Sequence, residues 1–242
     1  MNLGSVLRKT PGRNTWRAAA GLLLLVAACA SPRATSPPWP GSAEYAFRWD
    51  PAAGGPKTPR EVLGLLELPV PEPERYVVRY WDLPVPASAP ANAAPILRER
   101  TKAGGKTDFR LKYRFTTPLA VRWGCPAGES FQPQEEVDIS VGEGGSATRV
   151  FSYSCTLKSA SPPSSLNAVP KRCSVAMTRF TSGGLKVEEW VMPDGGRTIE
   201  VSKAAADGVD ELAAFRQVTE QILAKGARPS DRSKTELGSA CP

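Results

Sequence analysis

Between Asp108 and Phe115 apolar and basic side chains alternate without a break. Phe109, Leu111, Tyr113 and Phe115 fall on one face of an extended chain, and Arg110, Lys112 and Arg114 fall on the other. A period of two is the pattern of a strand with one buried face, and a helix cannot gather such residues into one apolar stripe. Similar segments recur at 44–49, 75–82, 96–101, 136–141, 148–157, 172–180, 186–192 and 197–203, with this strand read as 107–116. Gly104-Gly105, Gly142-Glu-Gly-Gly145, Ser182-Gly-Gly184 and Asp194-Gly-Gly196 separate neighbouring segments. Glycine-bearing turns of this length supply the positive φ that hairpins need. The sequence therefore predicts a mainly β (α+β) chain, an antiparallel meander closing into a barrel or tunnel of about eight strands.

Two helices interrupt the strand pattern. Thr58-Pro-Arg-Glu61 has the form of a capping box with proline at the first helical position, ahead of Val62, Leu65 and Leu66. Near the C-terminus, residues 208–225 place Val209, Leu212, Phe215, Val218 and Ile222 on one stripe, and Gly226 follows as a stop. The barrel domain is expected over 43–228, with a polar tail at 229–242 that is loose except where Cys241 pins it.

The first 28 residues carry Arg8, Lys9, Arg13 and Arg17, no acid, and then an apolar run ending at Ala28. This is the pattern of a secretory signal, and the apolar run is too short for a bilayer-spanning helix. Val26-Ala-Ala-Cys29 resembles the bacterial lipobox, which implies acylation at Cys29 and anchoring to a membrane. Ala30 follows in place of the aspartate that favours inner-membrane retention, so the expected address is the outer membrane, facing the periplasm. Residues 29–42 then form a Pro/Ser-rich tether. An oxidising compartment makes Cys125, Cys155, Cys173 and Cys241 candidates for two disulfides, with three connectivities open.

The formal charge of +7 comes from 31 basic and 24 acidic residues. Loss of the four leader cations leaves 27 against 24, or +3, which removes the bulk-charge argument for a nucleic-acid partner. The chain has no histidine, so His-based nucleophile pairs and His-ligated metals are excluded. Carboxylate–metal chemistry is then the main catalytic route.

The basic face at 108–115 has a neighbour in Leu97-Arg-Glu-Arg100. If the two segments form a hairpin, Arg98, Arg100, Lys112 and Arg114 lie side by side, and like charges facing each other call for something anionic between them. That partner is either a phosphate-type ligand or carboxylates from other strands. The arrangement resembles the CYTH, or triphosphate-tunnel, superfamily. Glu44-Tyr-Ala-Phe-Arg48 stands where that family opens with Glu-x-Glu-x-Lys. Arg98-x-Arg100 and Lys112-x-Arg114 match its basic strands, Arg179 matches a later tunnel arginine, and Ile199-Glu-Val-Ser202 resembles the late Glu-x-Glu strand.

The resemblance implies an antiparallel tunnel that binds a phosphorylated small molecule or polyphosphate through Arg48, Arg98, Arg100, Lys112, Arg114 and Arg179. Glu44 and Glu200 would be its remaining metal ligands, with Glu136, Asp138 and Glu188 as further acids. Ala46 and Ser202 replace two of the expected carboxylates. The metal site therefore reads as degenerate, able at most to bind a divalent cation such as Mg2+ weakly, with no other cofactor implied. The expected function is binding of an anionic ligand without efficient catalysis. The alternatives are a structural or assembly lipoprotein with an envelope-protein partner, and a divergent metal-dependent triphosphatase.

Overall fold

A computed structural model describes residues 41–84, 95–118 and 124–241. The expected signal peptide, Cys29 and the tether up to residue 40 lie outside these residues. Ten strands form one sheet: β1 (Ser42–Trp49), β2 (Glu74–Asp82), β3 (Ile96–Lys102), β4 (Thr107–Phe115), β5 (Gln132–Val141), β6 (Ala147–Lys158), β7 (Val169–Pro170), β8 (Val175–Ser182), β9 (Leu185–Val191) and β10 (Arg197–Ala206). Their order is β3-β4-β6-β5-β1-β10-β9-β8-β2-β7. A second pairing of β3 with β2 closes nine of them into a barrel, and two-residue β7 is left as a flap on β2.

The expected barrel is present, but its order is not that of a simple meander. β1 pairs antiparallel with β10 and parallel with β5, Ala43 facing Val137 and Ala46 facing Ser140. Parallel partners cannot be joined by a short turn. The chain between β1 and β5 accordingly runs through α1 (Pro59–Leu65), β2, β3 and β4 before it returns.

Strand alternation sorts the side chains. Tyr45, Phe47 and Trp49 of β1, Val137 and Ile139 of β5, and Ile199 and Val201 of β10 all point outward into one buried cluster. The helices α1 and α2 (Val209–Leu223) cover it with Val62, Leu63, Phe215 and Ile222. Each fully buried side chain of this size contributes about 1.5–3 kcal/mol. Thr58 caps α1, its hydroxyl accepting from the Glu61 amide, while the Glu61 carboxylate reaches the Lys57 amide rather than that of Thr58. On α2 the buried line is Phe215, Thr219 and Ile222, with Leu212 and Val218 at its margin. Val209, expected on the stripe, is the first residue of the helix and is 80% exposed. Thr219 is tolerated in the core because its hydroxyl donates back to the Arg216 carbonyl.

The residues after α2 are not a loose tail. Trp49 bridges to Pro229, and the Ser230 amide donates to the Arg48 carbonyl, which leads the chain along β1. It then forms α3 (Lys234–Ser239), started by Ser233 and Glu236 as a reciprocal capping box. Leu237 packs on Val78, Tyr80, Val175, Met177 and Trp190, an apolar cluster on the inner face of the barrel. Gly238 is required by the fit. A Cβ there would lie 2.8 Å from the Tyr80 ring and 3.0 Å from Val175. Two disulfides are present: Cys125–Cys155, which holds the chain after β4 to β6, and Cys173–Cys241, which ties down the end of this segment.

Candidate functional site

The inner face of the barrel is charged. β1 contributes Glu44 and Arg48, β3 Arg98 and Arg100, and β4 Asp108, Arg110, Lys112 and Arg114. Glu136 and Asp138 come from β5, Arg179 from β8, Lys186 and Glu188 from β9, and Glu200 from β10. The six expected binding cations and both expected metal ligands therefore meet inside the barrel. Their partners divide them into two groups along its axis.

Toward the mouth where β3 begins, every charge is matched. Arg48 donates to Glu200 at 2.5 Å and to the Ser140 hydroxyl. Glu188 joins the two groups: the Trp190 indole donates to it at 2.9 Å, and Arg179, which lies further along the axis beside Tyr76, forms an ion pair with it at 2.6 Å. Lys112 lies 2.8 Å from both Glu136 and Asp138, and Asp138 also accepts from Arg114. Lys234, which arrives on α3, places its ammonium 2.9 Å from Glu188 and 2.6 Å from Glu200. It also sits 4.7 Å from the centre of the Trp190 ring. Arg114 donates to Thr235 of the same helix. Lys234 was not visible as a site residue in the sequence, although Ser233-x-x-Glu236 marked a helix start next to it.

Electrostatics follow from these contacts. Burial opposes ionisation of Glu44, but the ammonium groups of Lys234, Lys186 and Lys112 outweigh it and hold the carboxyl at about 2. Burial likewise opposes charge on Glu188, and Lys234 and Arg179 hold it well below the ordinary carboxylate range. Lys234 is lowered by burial and raised more strongly by Glu188, Glu200 and Glu44, for a net upward shift. Depressed carboxyls contribute stability above their unfolded value near 4.5, and the contribution is lost as pH falls toward 2. The raised ammonium contributes below its unfolded value and loses that contribution as pH rises past it. Thermal unfolding followed by circular dichroism is therefore expected to show a flat melting temperature from about pH 5 to pH 10. A steep fall is expected only below pH 4.5 on the acid side.

These contacts also decide how the acids could meet a metal. Glu44, Glu136 and Asp138 each bring an oxygen within 4.8 Å of the others. Lys112 already bonds two of the three, and Glu200 is held by Arg48 and Lys234. Glu44 and Glu200, the expected ligand pair, belong to different groups of contacts. Lys112 bonds Glu136 and Asp138, and Lys186 lies 3.5 Å from Glu44, so a divalent cation at these three acids would compete with an ammonium at each of them.

Toward the opposite mouth the balance reverses. Arg98 faces Arg110 across the β3–β4 pair, and Arg100 faces Asp108. Arg100 pairs with Asp108 at 3.1 Å, whereas Arg98 and Arg110 form no ion pair among the described residues. Arg110 donates only to the Thr156 hydroxyl, at 3.2 Å, and the Arg98 Nε is buried with no hydrogen-bond partner. Burial and the charge of Arg98 lower the basicity of both Arg100 and Arg110. Arg100 and Arg179 flank the Tyr76 ring at 5.1 and 5.3 Å. An open cavity of about 390 Å3 lies here, lined by Arg100, Asp108, Arg110, Gln132, Gln134 and Lys158 among others. Arg110 was on the predicted basic face but not among the predicted binding residues; its pairing with Arg98 is what brings it into the site.

No family model matches this chain, and no curated protein does. Among solved structures it is similar to the PH1819 protein of Pyrococcus horikoshii OT3, at 15% identity and a TM-score of 0.46 over 80% of this chain and 97% of that one. The PH1012 protein of the same organism is similar at 13% identity, a TM-score of 0.45, and 81% and 98% coverage. A Vibrio parahaemolyticus protein provisionally described as an adenylate cyclase is similar at 14% identity and a TM-score of 0.42, over 83% and 99%. These likenesses are too distant to carry an argument about function.

Proposed function

We propose that the barrel is a divergent CYTH-like tunnel that binds a phosphorylated or other anionic small molecule without efficient catalysis. We further propose that the protein is held by a lipid on Cys29 at the bacterial outer membrane, facing the periplasm. The observation that carries the binding reading is the cluster Arg98, Arg100 and Arg110, whose one ion-pair partner among the described residues is Asp108; Arg100 and Arg110 line an open cavity, and Arg98 lies across the strand pair from Arg110. Guanidinium forks grip phosphate oxygens bidentately, and their mutual repulsion in a confined space is relieved when an anion enters. Lys158, Gln132, Gln134 and Thr156 supply further polar groups around the same space. The weak-catalysis reading rests on the carboxylates at the other mouth, each group of which already holds an ammonium.

Calorimetry with tripolyphosphate at low salt tests the binding reading. Binding is expected to be exothermic, to weaken as salt rises, and to be unchanged by a chelator, since the cations are the protein's own. Absence of heat at low salt would remove it. The anchoring reading is tested by labelling cells with radioactive palmitate, where Cys29→Ser is expected to abolish incorporation and retained label would overturn it.

A further inference from the structure

We infer that residues 230–241 are a stopper for one mouth of the barrel, latched by the Cys173–Cys241 disulfide and released when a dithiol reduces it. The segment fills its place as a folded ligand would. Lys234 supplies charge to Glu188 and Glu200, Leu237 supplies apolar surface to Tyr80, Val175 and Trp190, and Gly238 allows close approach to the wall. Its own structure is one short helix of six residues, below the length at which a helix holds itself together in water. Its order therefore depends on staying docked. The disulfide keeps it at high local concentration beside the mouth, so that each undocking is followed by return.

The two bridges differ in access. Cys155 is fully buried in a cluster with Leu157 and Tyr153 and its partner Cys125 is half-buried, whereas Cys241 is exposed and its partner Cys173 is half-buried. The Cys173 amide donates to the Cys241 sulfur at 3.3 Å, at the exposed end of the segment. One thiolate of a dithiol attacks the Cys241 sulfur, the bond to Cys173 breaks, and Cys173 leaves as a thiolate that takes up a proton. The second thiol of the reagent then displaces Cys241, which is also protonated. Two electrons pass from the dithiol, now a disulfide, to the former cystine.

Release would uncover the inner-face residues that the segment now covers, Glu188 and Glu200 among the acids and Tyr80, Val175 and Trp190 among the apolar groups. The arginine cavity lies toward the other mouth, so this inference stands whether or not that cavity binds an anion.

The test uses the oxidised full-length protein, with dithiothreitol as the probe, followed by alkylation mapping and hydrogen exchange. Cys173 and Cys241 are expected to be alkylated at least tenfold sooner than Cys125 and Cys155 under limiting dithiothreitol. At that stage the amides of 234–241 should exchange at least tenfold faster while β1 and β10 keep their protection. The Cys173→Ser/Cys241→Ser double variant should show the same pattern without reductant. Unchanged protection of α3 in the reduced protein and in the variant would show that the stopper needs no latch and overturn the inference. Loss of protection throughout β1 and β10 would make the bridge a general staple of the fold, which also overturns it. Equal alkylation of all four cysteines would remove selective release.

Discussion

Replacing Glu188 by alanine is expected to destabilise the protein by about 3–5 kcal/mol, read as a large fall in the urea midpoint. The side chain is 2% exposed and accepts from three donors on three elements: Arg179 of β8, Trp190 of β9 and Lys234 of α3. Alanine removes the acceptor but leaves a guanidinium and an ammonium with one fewer acid between them. The penalty is the cost of those uncompensated charges rather than the net value of the ion pairs, which burial largely offsets. Glu189, the next residue, is the control. Its carboxylate pairs with Arg197, whose side chain is 40% exposed, so Glu189→Ala is expected to cost less than about 1 kcal/mol. Equal costs at 188 and 189 would show that the inner charge network does not act as a unit.

Replacing Arg98 by methionine is expected to move stability and binding in opposite directions. The unliganded protein should gain about 1 kcal/mol, because a buried guanidinium nitrogen without a partner is removed and repulsion on Arg100 and Arg110 is relieved. Affinity for tripolyphosphate should fall at least tenfold, since a positive charge beside the cavity-lining Arg100 and Arg110 is lost. Urea unfolding and calorimetry on the same preparation check both signs. A variant that loses stability together with affinity would mean that Arg98 supports the barrel. One that gains stability and keeps full affinity would place the anion elsewhere. Lys112 offers the contrast: its ammonium is matched by Glu136 and Asp138, so its removal should cost stability first.

The parts of the molecule that were legible in the sequence are those whose signals are local. Asp108–Phe115 announced itself by alternation, and the glycine turns placed its neighbours, so β2 to β4 and β8 to β10 came within a few residues of their observed bounds. The basic face of β4 was also readable, because side-chain direction in a strand follows from position alone. Pairing over distance was not readable. Nothing in Ala43–Ala46 states that β5 lies beside it in parallel, and nothing in Lys234 states that Glu188 and Glu200 await it. The division of the inner charges into a neutralised end and an arginine-rich end depends on which acids the closed sheet brings opposite which bases. Net charge and local pattern carry no trace of that. The helix α3 was missed for a different reason. Six residues with one leucine fall below any periodicity test, and only the capping box at Ser233 marked them.

The placement of β1 has a consequence for how the chain acquires its structure. The strand made first sits between β5 and β10, so Ala43 waits for Val137 and Ser42 waits for Ala206. Contacts of such sequence separation slow folding, because a long stretch of chain must be ordered before they form. A growing chain that has not reached residue 197 has β1 and β9 as unpaired edges and no closed barrel. Edges of that kind recruit strands from other molecules. Assembly of this protein is therefore an all-or-none event completed from the C-terminal end, with a premature stop producing an aggregation-prone sheet rather than a smaller barrel.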